Sequence, residues 1–181
     1  MDNEVWKDIP GFAGYQISNQ GRVRSCRFGT GGGVKFKHWR EITPSFNGRK
    51  SHLMVDLVCL PRKRKQFQLH RLLYEVFIGP IPEGVLVEHR DRNGLNNNLE
   101  NLRLSNQSQN VVNQKVREGR KYKGVYSTKS GKWAVQTTYN KKCVYLGTFD
   151  TEREAIEAYN KYAVEKFGEF AVLNVFKEEM H

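Results

Sequence analysis

The chain has 181 residues and a net charge of +11, from 30 Lys and Arg against 19 Asp and Glu. This length allows one ordinary domain or two to three small ones, and the basic excess points to a polyanionic partner such as nucleic acid. The N-terminus lacks the basic-then-apolar pattern of a secretory leader, and no apolar run approaches the ~18 residues of a membrane span. Cys26, Cys59 and Cys143 are widely spaced with no CxxC, which speaks against paired disulfides and a thiolate zinc site. The expectation is a soluble, intracellular protein with no membrane partner.

In chain order, YQISN and GRVRS read as short strands joined by the turn Asn19-Gln20-Gly21. The loop Gly29–Gly33 is rich in glycine but lacks the Lys-Ser/Thr that a phosphate-cradling loop needs. SHLMVDLVCL predicts a strand, RKRK a basic turn, and QLHRLLYEVF a short helix with Leu69, Leu72, Leu73, Val76 and Phe77 inward. After the GPIPEG turn, an apolar strand ends in Glu88-His89. An asparagine-rich loop, the strand LRLS and a polar helix follow. Residues 112–121 read as a charged tether.

The remainder reads as three short strands broken at Lys129–Gly131 and Asn140–Lys142. A helix follows, with the capping-box pair Thr151 and Glu154, a stripe of Ala155, Tyr159, Tyr162, Ala163 and Phe167, and a stop at Gly168. Arg120–Phe149 carries seven basic residues and no acid, whereas Asp150–His181 carries four basic and eight acidic. The helix therefore covers one sheet face and leaves a basic face open.

Val87–Asn113 is odd as plain structure, because so small a hairpin and helix buries little. Either asparagine side chains bonded to local backbone or a bound metal must hold it. Glu88-His89, Asn93, Asn96-Asn97, Asn101-Leu102-Arg103 and Gln109-Asn110, preceded by His70-Arg71-Leu72, resemble the motif of the HNH nucleases, specifically the phage-type homing endonucleases. The resemblance implies His89 as general base, Glu88 and Asn110 as ligands of one Mg²⁺ or Mn²⁺, and Asn101 as the residue that ties down the loop and orients His89. Two positions depart from the family pattern: Glu88 stands where Asp is usual, and Arg92, a candidate phosphate contact, where Gly is usual. Asp91 either supports the loop or acts on the metal from one layer out. Asn96–Asn98 read as turn formers, and His38, His52 and His181 as surface residues.

EVWKDIPGFAGYQISNQGRVRS resembles a small DNA-contacting module that precedes HNH domains in phage homing endonucleases, which implies that Lys7, Arg22 and Arg24 face phosphates. YKGVY, GKWAV, YLGTFDTEREAIEAYNKYA and FAVLN resemble AP2/ERF DNA-binding domains. That likeness implies a sheet in the major groove with Lys123, Tyr126, Gln136, Thr138 and Tyr145 toward DNA.

The resulting expectation is an α+β protein of three modules. Residues 1–50 form a β-rich DNA-contacting module, 51–118 a ββα-metal nuclease core, and 119–181 a three-stranded antiparallel sheet plus helix. Its function would be metal-dependent, sequence-directed nicking of double-stranded DNA, by a monomer, in the cytoplasm of a host cell. The alternative is a non-catalytic DNA-binding regulator derived from such a nuclease.

Overall fold

The computed structural model describes residues 3–28, 35–59, 63–113, 116 and 119–176. The glycine loop 29–33, residues 114–115 and 117–118 of the expected tether, and His181 lie outside them. The chain divides into two units, Met1–Leu104 and Ser105–His181. Both are built from small antiparallel sheets and few helices.

The first unit opens with four strands, β1 (Trp6–Asp8), β2 (Tyr15–Ser18), β3 (Val23–Phe28) and β4 (Lys35–Ile42), which pair in chain order. The expected turn joins β2 to β3. Gly21 sits there at φ +76°, and an added Cβ would come within 2.4 Å of the Asn97 carbonyl oxygen. Glycine is thus required twice, by conformation and by close approach. The neighbouring Asn19 carbonyl accepts from the Leu99 N–H at 2.8 Å, so the N-terminal sheet is docked onto the asparagine-rich loop.

A second sheet follows, of β5 (Ser45–Phe46), β6 (Leu53–Cys59) and β7 (Lys63–Gln68). Lys63, Arg64 and Lys65 lie in β7 rather than in a turn. Pairing with β6 extends them, and their charged ends remain in solvent. α1 (Leu69–Phe77) leaves β7 directly and buries Leu69, Leu72 and Leu73, as its spacing predicts. β8 (Leu86–His89) and β9 (Leu102–Ser105) form a two-stranded sheet with a 3-10 turn at Leu99–Asn101 ahead of β9.

One core joins these pieces. Ile17 and Val23 from the N-terminal sheet, with Ile9 and Phe12 from the connection between β1 and β2, meet Val55, Leu57, Leu69, Leu73, Val87 and Leu102. This cluster explains why the structure does not divide at residue 50, where the sequence suggests a boundary. Each aliphatic side chain fully buried there contributes about 1.5–3 kcal/mol. Too few would remain in either part for an independent core.

The second unit begins with α2 (Gln107–Asn113). β10 (Val125–Ser127), β11 (Trp133–Tyr139) and β12 (Lys142–Phe149) then pair antiparallel in chain order. α3 (Glu152–Phe167) starts at the predicted capping box, with the Thr151 and Glu154 side chains each bonded to the other's backbone N–H. Such a cap is worth about 1 kcal/mol. Ala155, Ile156, Tyr159, Ala163 and Phe167 are buried against Val125 and Val135, and Trp133 packs at the edge of this cluster. Val112 is 2% exposed and belongs to the same core, so the expected tether begins after it.

Candidate active site

The strand end that carries Glu88 and His89 delivers two charged or titratable side chains into the interior, each 5% exposed. Glu88 Oε1 accepts from Arg103 Nε at 2.7 Å, across the hairpin from β8 to β9. Its other oxygen, Oε2, is buried without a hydrogen-bond partner among the described residues. A buried carboxylate oxygen in that state is costly unless a cation or donor reaches it.

His89 is held by Asn97, whose Oδ1 lies 3.1 Å from Nε2. Asn97 Nδ2 donates to the Leu95 carbonyl at 3.2 Å, which fixes the amide orientation. An amide oxygen only accepts, so Nε2 bears the proton and Nδ1 the lone pair. Burial lowers the His89 pKa, opposed by the Asn97 bond and the Asp91 charge. The net effect favours the neutral ring that a general base requires.

Asn101 ties the loop to itself through three hydrogen bonds. Its Oδ1 accepts from the Asp91 N–H at 3.0 Å, and its Nδ2 donates to Asp91 Oδ1 and the Asn96 carbonyl, both at 2.9 Å. The side chain bonded to His89 Nε2 is that of Asn97, for which the sequence predicts only a turn-forming role. Asp91 supports the loop. Burial would raise its pKa, but bonds from Asn96, Asn101 and the Asn93 N–H outweigh burial and lower it. Arg92 is exposed at φ +62°, a left-handed conformation that explains why glycine is the family's usual residue there.

Three imidazoles meet at this site. The His70 ring lies 5.0 Å from that of His89 and 5.1 Å from that of His52, and His52 lies 5.8 Å from His89, measured between ring centroids. His52 is therefore not a plain surface residue. No local pattern marked it, because the fold brings it from the turn before β6. Asn110, half-buried, stands on α2 in the second unit, with its N–H on the Asn106 carbonyl.

The expected DNA-facing side chains fall into two groups. Arg22 is ion-paired with Glu4 and with Glu41, the latter at 2.8 Å. Arg24 bonds Gln16 Oε1 and lies 4.0 Å from the Trp6 ring centroid and 4.8 Å from that of Trp39. Lys7 is exposed, with its ammonium 4.8 Å from the Phe77 ring centroid. Lys123 is turned inward: its ammonium donates to the Val112 carbonyl, and its backbone is clasped by Asn174. Carboxylates, aromatic faces and carbonyls within each unit thus take up three (Arg22, Arg24 and Lys123) of the five cations expected to face DNA, the others being Lys7 and Arg92.

Gln136, Thr138 and Tyr145 do stand on the open face of the C-terminal sheet. Gln136 is paired in register with Tyr145, which is 60% exposed, and Tyr126 lies half-buried on the neighbouring strand.

The chain matches a family model described as HNH endonuclease over residues 67–112, and one described as NUMOD4 motif over residues 4–50. It is similar to the uncharacterized HNH endonuclease L560 of Acanthamoeba polyphaga mimivirus, at 36% identity over 110 residues covering 60% of this chain and 58% of that one. DNA endonuclease I-HmuI of Bacillus phage SP01 is 37% identical over 113 residues, covering 62% of this chain and 58% of that one. A solved structure titled as DNA binding and cleavage by that homing endonuclease aligns with a TM-score of 0.47 and 33% identity, over 59% of this chain and 55% of that one. The chain therefore spans little more than half the length of these relatives. A 61-residue stretch, 33% of this chain, is 42% identical to a segment forming 14% of APETALA2-like protein 2 from Oryza sativa subsp. indica. The chain thus carries an HNH endonuclease domain behind a NUMOD4 motif and is a relative of the phage-type HNH homing endonucleases.

Proposed function

We propose that this chain is a divalent-metal-dependent endonuclease that hydrolyses a phosphodiester of double-stranded DNA, with His89 as general base. The observation that carries the reading is the Asn97–His89 bond, which directs the imidazole lone pair to Nδ1 in a ring that burial keeps neutral. Nδ1 would take a proton from the attacking water as its oxygen bonds to phosphorus. The 3′ oxygen would leave, giving 3′-hydroxyl and 5′-phosphate ends. Asn101 and Asp91 act on the loop, and through it on the base.

Glu88 fits a ligand of Mg²⁺ or Mn²⁺, since its buried, unpartnered Oε2 is the hard oxygen such ions select. The family resemblance gives the companion role to Asn110. A bound ion would supply Lewis-acid stabilisation of charge on the phosphate and the departing oxygen.

The C-terminal sheet is the reader in this account. Gln136, Thr138, Tyr145 and Tyr126 would meet base edges, and Lys7 and Arg92 the backbone. Because Arg22, Arg24 and Lys123 are engaged within the protein, each would have to exchange an existing partner for a phosphate. One site per chain implies nicking by a monomer, within the host cytoplasm.

The test is incubation of supercoiled and linear duplexes from a random-sequence pool with the full chain and Mg²⁺ or Mn²⁺. Nicking that EDTA abolishes, at a preferred sequence, is expected. Tight duplex binding without any cut would instead make the chain a non-catalytic regulator.

A further inference from the structure

We propose that His52 is a further catalytic residue of this site, donating its Nε2–H to a non-bridging oxygen of the phosphate being cut. The proposal rests on the nuclease reading above and deepens it.

The turn that carries His52 is built with care. Asn47 Oδ1 accepts from the Ser51 N–H at 2.8 Å and from the His52 N–H at 3.3 Å, which leaves Asn47 Nδ2 to donate to Ser51 Oγ at 3.1 Å. Ser51 Oγ lies 3.0 Å from His52 Nδ1. The hydroxyl, which accepts from Asn47, still has its own hydrogen to give; in the proposed tautomer it gives it to Nδ1, and the ring proton of His52 resides on Nε2. Burial and the neighbouring His89 lower the pKa of His52 and favour this neutral form.

The asparagine-rich loop is seated on the same turn. A Cβ added to Gly94 would come 2.0 Å from the Ser51 carbonyl oxygen and 3.3 Å from His52 Cδ2. His52 and the loop that positions His89 are thereby fixed against each other.

Of the three imidazoles, His70 and His89 are 4% and 5% exposed, while His52 is half-buried and the most exposed of them. Metal binding does not explain the grouping, because no three His, Cys, Asp or Glu among the described residues could hold an ion. In the proposed tautomer His52 is a donor and not a second base, since Nδ1 takes the Ser51 hydrogen and Nε2 carries the ring proton. A fixed N–H beside the base is what stabilises charge developing on a phosphate oxygen.

Four full-length proteins, wild type, His52→Ala, His52→Phe and His52→Gln, are compared in single-turnover nicking at saturating protein, with folding checked by circular dichroism. Phenylalanine keeps a ring against His70 and lacks the donor, whereas glutamine carries an N–H at the reach of Nε2. Ala and Phe should each lose roughly 10- to 100-fold in rate, as for a hydrogen bond to a charged group, and Gln should recover most of it. Replacing one non-bridging oxygen of the scissile phosphate by sulfur should slow wild type and Gln more than Ala or Phe. Rates within twofold of wild type in both Ala and Phe would overturn the proposal. So would a Phe variant that cuts well, or equal sulfur effects in all four proteins, because either outcome marks a packing role. A wild type that does not nick with any divalent cation would overturn the nuclease reading and this proposal with it.

Discussion

In the first unit the candidate base and the side chains around it are buried, whereas the candidate base readers of the second unit stand on an open sheet face. Glu88, His89, His70 and Asn97 are all at most 5% exposed, while Tyr145 is 60% exposed and Gln136 and Thr138 are likewise in solvent. The difference follows from what each region would do. A base must be held in one tautomer away from bulk water, and only burial with directed hydrogen bonds achieves that. A groove-reading face must be able to exchange water for base edges, so it needs exposure and a stiff sheet beneath it. Substitutions in the first region should therefore cost stability and chemistry together. Those in the second should cost recognition alone.

The largest effect expected from this contrast is at Glu88. Glu88→Ala would leave the Arg103 guanidinium buried without its carboxylate, and removing one partner of such a pair costs about 3–5 kcal/mol. Urea unfolding should show that loss, accompanied by loss of nicking. Unchanged stability would mean that the pair is solvated, and the contrast between the units would weaken.

The next effect is a dependence on pH. Burial, followed by the charges of His89, His52 and Arg71, pushes the His70 pKa down to about 3. The unfolded chain takes up this proton near pH 6.5, as for a free imidazole, while the folded chain stays neutral. The contribution is thus fully present above about pH 6.5 and is lost as the pH falls toward about 3, by at most about 1.4 kcal/mol per unit. His70→Gln should lose less stability than wild type between about pH 7 and about pH 5. Equal losses would show that His70 is not the group responsible.

The smallest effect is at Arg92. Replacing it with glycine relieves a left-handed residue and should stabilise the fold by about 1 kcal/mol, read as a higher melting temperature. A lower affinity for duplex DNA in the same variant would show why an arginine is kept there.

Much of this fold was legible because its signals are local. The stripe of α3 with its capping box, the apolar face of α1 and the two breaks in the C-terminal sheet are each contained within one element's sequence. So were Glu88 and His89, adjacent at a strand end. What stayed hidden depends on tertiary approach. Asn97 reaches His89 only because Asp91 and Asn101 fold the loop back, and His52 arrives from a turn with no motif of its own. Arg22 and Arg24 looked available to DNA because their partners Glu4, Gln16, Glu41 and Trp39 are distant in sequence. They become neighbours only through the strand register.

The central claim is that the general base resides in the first unit and base reading on the C-terminal sheet of the second. Its most direct test is to measure equilibrium binding and single-turnover nicking of one preferred duplex by full-length His89→Ala and Gln136→Ala. His89→Ala should lose ~10²–10⁴ in rate at saturating protein while its affinity stays near wild type. Gln136→Ala should keep that rate and lose ~1–3 kcal/mol of discrimination at one or two base pairs. Near-wild-type nicking by His89→Ala, or full site preference in Gln136→Ala, would contradict the account.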